Sequence, residues 1–256
     1  MVPDREIPGL LEEARSIAQA AGKLTLDWFQ RPDLQVDSKS DGTEVTEADR
    51  RAEQLVRDRL AVAHPGDAVF GEEQGGEVVD GARTWIVDPI DGTRGFARGV
   101  PLYSTLLALV DSEGPVVGVI DLPALGLTMA AGRGVGCWLG DRRCAVSDHA
   151  ALEGALINTS SYETFNPAQF AGFRAEGSML RTWGDAYGYF LVACGQAEAM
   201  IDPICSTWDL APMPVIIGEA GGSFTDLRGR ADYRSGNGVA SNGVLHAEVI
   251  RQMGQE

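Results

Sequence analysis

The segment TWIVDPIDGTRGF, residues 84–96, carries Trp85, Ile86 and Val87 directly into Asp88 and, three residues on, into Asp91. Such a run reads as a buried strand, and a buried strand that ends on two acids admits only folds that compensate the charge there. Two other acidic points share this setting. Glu72 and Glu73 follow Val69, Phe70 and Gly71, and Asp209 follows Trp208 in STWDLAP. Surface carboxylates ordinarily sit among Lys and Arg on polar faces. Clustered beside apolar segments they repel one another and take up protons unless a cation holds them together.

Hard cations such as Mg²⁺ take oxygen ligands: a few carboxylates, water and substrate phosphate oxygens. Asp88 and Asp91 flank Pro89 and Ile90, so both side chains and the Ile90 carbonyl can converge on one centre. Gly92 allows a phosphate close to the backbone, Thr93 adds a hydroxyl, and the N–H groups of the turn can cradle an anion. Alone, a DxxD spacing describes a solvated turn, GEE a polar loop, and WD a capped helix with a packed Trp208. Occurring together beside apolar segments, they point to a metal centre.

Around these points the chain alternates in blocks. Ile7, Leu10, Leu11, Ala14, Ile17, Ala18, Ala21 and Leu24 recur at helical spacing, predicting a helix that ends before Pro32. A second helix, capped by Thr46 or Asp49, carries Ala52, Leu55, Val56, Leu60 and Val62 and stops near His64. Residues 84–88, 104–110 and 115–120 read as strands, followed by 127–131 and 135–139 in an antiparallel meander. Further on, ALINTS reads as a strand, 186–200 as a mostly buried helix and 210–220 as another, capped by Asp209 and kinked or delayed at Pro212 and Pro214. The class is α+β with layers. A packed junction near residue 145 is expected to separate 1–145, bearing most of the metal ligands, from 146–256, which completes the metal and substrate site.

Lys plus Arg number 21 against 37 Asp plus Glu, a balance of -16, so no basic field draws nucleic acid or an anionic membrane. The four cysteines, Cys137, Cys144, Cys194 and Cys205, form no CxxC pair, which argues against a zinc cluster or disulfide scaffold and for a reducing compartment. Charge runs through the N-terminal segment where a signal peptide needs an apolar stretch, and no run of about 18 apolar residues occurs. A soluble, cytoplasmic protein is expected. His64, His149 and His246 show no triad pattern and read as surface or helix-end residues.

GEE, WIVDPIDGTRGF, and WDLAP followed by EAGG, with KSDGTEVTEAD upstream, resemble the signature of the inositol monophosphatase superfamily over residues 35 to 245. That resemblance implies magnesium-dependent, lithium-sensitive phosphatases with an αβαβα layered sandwich, commonly dimeric, acting on small phosphorylated metabolites through two or three Mg²⁺ ions. By matched position it implies Glu72, Asp88, the Ile90 carbonyl, Asp91 and Asp209 as metal ligands. Gly92 and Thr93 would meet the phosphate, and Thr46 and Asp49 would orient the attacking water or its metal network. Asp202, seven residues before Asp209, matches a carboxylate that bonds sugar-like hydroxyls. GDAYGYFLVACG with DPICSTWD, RGVP and SNGVLH are similar to the histidinol-phosphate phosphatase branch, from which the chain departs at Arg94, Gly95 and Asp202, where Lys, Asn and Glu are usual. Asp185 then has two readings: a helix cap, or a carboxylate for the amine or imidazolium of histidinol. Inositol or another polyol phosphate is the alternative substrate. A catalytically silent metabolite-binding regulator is the alternative of another class; loss of Thr93 or a metal carboxylate would favour it, and all are present.

Overall fold

The helical spacing near the N-terminus produces the expected element. In the computed structural model, which describes residues 1–40 and 42–254, α1 (Ile7–Thr25) buries Ile7, Leu10, Leu11, Ala14, Ile17, Ala18 and Ala21. A short hairpin, β1 (Val36–Ser38) and β2 (Glu44–Thr46), leads into α2 (Glu47–Ala63). Thr46 is the N-cap and Asp49 closes a reciprocal capping box with it, so the two residues considered for the cap share the task.

The main sheet holds seven strands in sequential order: β3 (Ala68–Gly71), β4 (Thr84–Asp91), β5 (Ser104–Asp111), β6 (Gly114–Leu122), β7 (Leu127–Gly132), β8 (Gly136–Leu139) and β9 (Arg142–Arg143). It is antiparallel apart from the β3–β4 pair. A one-turn helix, α3 (Thr93–Ala97), follows β4. The second sheet contains β10 (Leu156–Asn158), β11 (Met179–Arg181), β12 (Ala199–Asp202), β13 (Ser223–Thr225) and β14 (Gly238–Ser241), in the order β11-β10-β12-β14-β13. Its helices are α4 (Pro167–Ala175), α5 (Asp185–Ala193), α6 (Thr207–Leu210), α7 (Met213–Glu219) and α8 (His246–Met253).

Three apolar clusters define the layers. α1 and α2 cover one face of the main sheet through Ile17, Val56, Trp85 and Leu107. Between the sheets, Tyr189 and Val192 of α5 and Ile216 of α7 pack against Ile120, Met129 and Met200. Phe173 of α4 and Val249 of α8 close the outer face of the second sheet over Ile157 and Ile201. The result is an αβαβα sandwich.

The structure corrects the helix read over 186–200. α5 stops at Ala193, the chain turns at Gly195 with φ 70, and residues 199–202 form β12 inside the second sheet. An unbroken apolar run cannot by itself separate a buried helix from a buried strand, and the left-handed glycine divides the two here. At Pro212 the expected interruption appears: α6 ends at Leu210 and α7 begins at Met213, placing Pro214 in a first turn that needs no N–H. The cap of α6 is Ser206, with Asp209 in the third helical position of its capping box. The four cysteines are free thiols, and no helix of the described residues is long and apolar enough to cross a membrane.

Candidate active site

β4 is buried along its whole length, and its register against β5 shifts by one residue between Asp88 and Asp91. Pro89 has no N–H to give the ladder, and the Thr105 hydroxyl takes its carbonyl at 2.8 Å. The bulge bends the strand end so that both aspartates turn to the same side. Asp209 arrives on α6, and one carboxylate oxygen each from Asp88, Asp91 and Asp209 lies within 4.8 Å of the others.

The remaining contacts of these acids are neutral donors. Asp88 Oδ1 accepts the Ile90 N–H at 3.0 Å. Asp91 Oδ2 accepts the Ser104 hydroxyl at 2.9 Å and the Ala186 N–H at 2.7 Å, so a strand end of the first sheet holds the first turn of α5. Asp209 Oδ2 accepts the Ser206 N–H at 2.9 Å and the Cys205 thiol at 3.2 Å. Among the described residues, no Lys, Arg or His forms an ion pair with any of the three. Burial, reinforced by the neighbouring carboxylates, pushes Asp88 and Asp91 well above the ordinary carboxylate range. A cation bound among them would relieve the repulsion and lower these pKa values.

Glu72 and Glu73 sit beside this centre on the turn after β3. Lys39, from the hairpin loop before α2, donates to Glu72 at 2.8 Å and to Glu73 at 2.6 Å. Burial raises both glutamates, Glu73 to about 7, while Lys39 opposes the rise. Lys39 went unassigned in the sequence reading, although it opens KSDGTEVTEAD. Its ammonium already occupies the place of a cation at Glu72.

Thr46, Asp49 and Thr93 form a chain of contacts. The Thr46 N–H and hydroxyl both donate to Asp49 Oδ2, at 2.7 and 2.6 Å. The Thr93 hydroxyl donates to the Ile90 carbonyl at 2.9 Å and lies 3.4 Å from Asp49 Oδ1. Burial raises the Asp49 pKa against these bonds. The Ile90 carbonyl, expected to face a metal, therefore already takes one donor and retains a second lone pair.

Asp185 does not cap α5. It is the first residue of that helix, the N-cap is Gly184, which has no side chain to give, and no side-chain capping bond forms. Its backbone is left-handed, φ 51, a strained setting for a residue other than glycine. The Asp185 N–H donates to the Ser160 hydroxyl at 2.9 Å. Its carboxylate crowds Gly92, where an added Cβ would meet Oδ2 at 2.9 Å, and Gly92 itself has φ 84. Although the residue as a whole is exposed, its carboxylate is packed among protein atoms beside Asp209, and these push it up to about 6. Asp202, expected to reach substrate hydroxyls, is 2% exposed instead. It accepts the Ser160 N–H at 3.1 Å and the Tyr189 hydroxyl at 3.0 Å, so it supports the wall on which Asp185 stands. Ser160 and Tyr189 had no sequence signal of their own.

The family model of the inositol monophosphatase family matches residues 9–256 of this chain. A histidinol-phosphatase of Chlorobaculum parvum is 41% identical over 99% of this chain and 98% of its own length. A histidinol-phosphatase of Streptomyces coelicolor is 40% identical over 96% and 97%. Among solved structures, an IMPase of Thermotoga maritima superposes with a TM-score of 0.88 at 31% identity, covering 96% of each chain.

Proposed function

The chain belongs to the inositol monophosphatase family and is a phosphoric monoester hydrolase, and from that premise we propose that it cleaves histidinol phosphate, a step of histidine biosynthesis, with Mg²⁺. The ligands in this reading are Glu72, Asp88, the Ile90 carbonyl, Asp91 and Asp209. The observation that carries it is the convergence of Asp88, Asp91 and Asp209 within 4.8 Å without a basic partner among the described residues. An all-oxygen, acid-rich donor set suits a hard cation. Two or three Mg²⁺ ions, when bound, supply neutralisation of the phosphate, acidification of a water and stabilisation of the leaving alkoxide.

The chain's own residues position and select. The N–H groups of Thr93 and Arg94, in the first turn of α3, are free of intrahelical partners and can take phosphate oxygens beside Gly92. The Thr93 hydroxyl gives its proton to the Ile90 carbonyl, which leaves its oxygen to accept a hydrogen bond from a water, with Asp49 Oδ1 3.4 Å behind it. At the rim, Asp185 would pair with a cationic leaving group through a charge-assisted hydrogen bond. Histidinol carries both an amine and an imidazole.

The test is a comparison of esters. Histidinol phosphate should be hydrolysed with kcat/KM at least about tenfold above inositol 1-phosphate, roughly 1.4 kcal/mol of discrimination. If inositol 1-phosphate is the better substrate, the polyol phosphatase reading replaces this one. The same proposal makes the enzyme a cytoplasmic homodimer, which sedimentation of the purified chain and fractionation of cells can check.

A further inference from the structure

Glu53 lies one turn beyond Asp49 on α2 and is fully buried, yet its carboxylate does not face the aspartate cluster. It reaches the turn that follows β3. Oε2 accepts the Glu73 N–H at 2.7 Å, and Oε1 accepts the Gln74 N–H at 3.1 Å and Arg57 Nε at 2.8 Å. Arg57 also donates to the Gly75 carbonyl at 2.6 Å. Gly71 and Gly75 pinch the turn with reciprocal backbone bonds of 3.0 and 3.1 Å, and the Glu72 N–H is tied at 3.2 Å to the carbonyl of Val87, the residue before Asp88. Gly71 is required by this close approach, because a Cβ there would come within 2.3 Å of Glu53 Oε1.

Lys39 bridges the Glu72 and Glu73 carboxylates, but it holds only their side-chain tips, and the backbone of the turn beneath them is fixed by Glu53. We propose that Glu53 is a positioning residue of the metal site: it clamps the Gly71–Gly75 turn from below so that Glu72 and Glu73 project beside Asp88 before any cation arrives. α2 thereby sets two parts of the centre at once, through Asp49 toward Thr93 and through Glu53 toward Glu72. The inference rests on the reading of Glu72 as a metal ligand.

Mn²⁺ binding to the full chain, followed by the EPR signal of the free ion, tests it. Glu53→Ala and Gly71→Ala should each weaken binding about 10- to 100-fold, the range found when residues that orient ligands are removed. The double variant should bind no more weakly than the worse single one, since both break the same clamp. The Mg²⁺ concentration for half-maximal hydrolysis should rise by the same factor, with kcat at saturating Mg²⁺ within about threefold of the parent. Leu60→Ala, which removes apolar packing from the same helix, should lower Tm and leave the Mn²⁺ isotherm in place. Parental binding by Gly71→Ala, or an equal loss in Leu60→Ala, overturns the proposal; Gly71→Ala keeps the test open if Glu53→Ala does not fold. Glu72→Gln separates the two readings: unchanged Mn²⁺ binding in that variant overturns the metal-ligand assignment itself. A loss there with parental Gly71→Ala binding overturns only the role of Glu53.

Discussion

Asp226 and Asp91 both expose little surface, 1% and 7%, but Asp226 lies just beneath the exposed Arg230 and Asp91 lies deep, and their surroundings drive them in opposite directions. On the loop after β13, Asp226 accepts the N–H groups of Arg228 and Arg230 at 2.9 and 2.8 Å and the Arg230 guanidinium at 2.6 Å. Burial opposes ionisation there, but these donors outweigh it and hold the carboxyl below its ordinary range. Asp91 receives two neutral donors and faces Asp185 and Asp209, and it is held well above that range. Depth and partners together therefore decide which way a carboxylate shifts. Asp226 has a cation from its own chain and Asp91 has none, which is the setting that the proposed metal site requires.

The largest test of this contrast is charge removal on each side. Asp88→Asn or Asp209→Asn should lower kcat by about 10³-fold or more, measured as phosphate release, because each takes a charged ligand from a shared centre. Asp226→Asn should leave kcat within about twofold and lower Tm modestly, since it weakens the bonds by which a buried carboxylate holds the Arg228 and Arg230 N–H groups and the exposed Arg230 guanidinium. Full turnover in EDTA would break the comparison. Thr93→Ala should reduce kcat about 10²-fold if its hydroxyl acts in the transition state; a change confined to KM would make it a ground-state contact.

Smaller effects sharpen the contrast. Asp185→Asn should cost about 10- to 100-fold in kcat/KM toward histidinol phosphate, the 1.5–3 kcal/mol of a charge-assisted bond, while sparing glycerol 2-phosphate. Equal losses on both esters would make Asp185 a structural residue. Asp121 offers the mildest case: burial lifts it to about 6, with the Thr128 hydroxyl opposing. A raised folded pKa means that its contribution to stability is complete below the unfolded value of about 3.9 and is lost as pH rises through about 6. Asp121→Asn should therefore raise Tm by about 3 °C at pH 8 and bring no gain near pH 4, as read by thermal melts.

The parts of this molecule legible in the sequence were those written in short-range pattern. The spacing of α1, the Thr46 capping box, the meander and the acids at the ends of apolar runs all depend on neighbours a few residues apart. What escaped notice depends on distant partners. β12 was absorbed into a helix because its identity comes from pairing with β10 and β14. Lys39, Ser160 and Glu53 are ordinary polar residues until folding brings them to Glu72, Asp185 and the turn after Gly71. Asp202 matches, by its distance from Asp209, a carboxylate that bonds sugar-like hydroxyls, and only the Tyr189 hydroxyl that it accepts shows that it lies beneath the wall.

The hydrogen bond from the Ala186 N–H to Asp91 also bears on how the enzyme is made. A ribosome releases Asp88 and Asp91 with β4, long before α5 and α6 emerge with Ala186 and Asp209. A nascent or prematurely terminated chain thus carries two of the three converging acids and lacks both the third and the donor that fixes Asp91. On the proposed reading of the site, a chain that ends before α5 therefore holds an incomplete ion site.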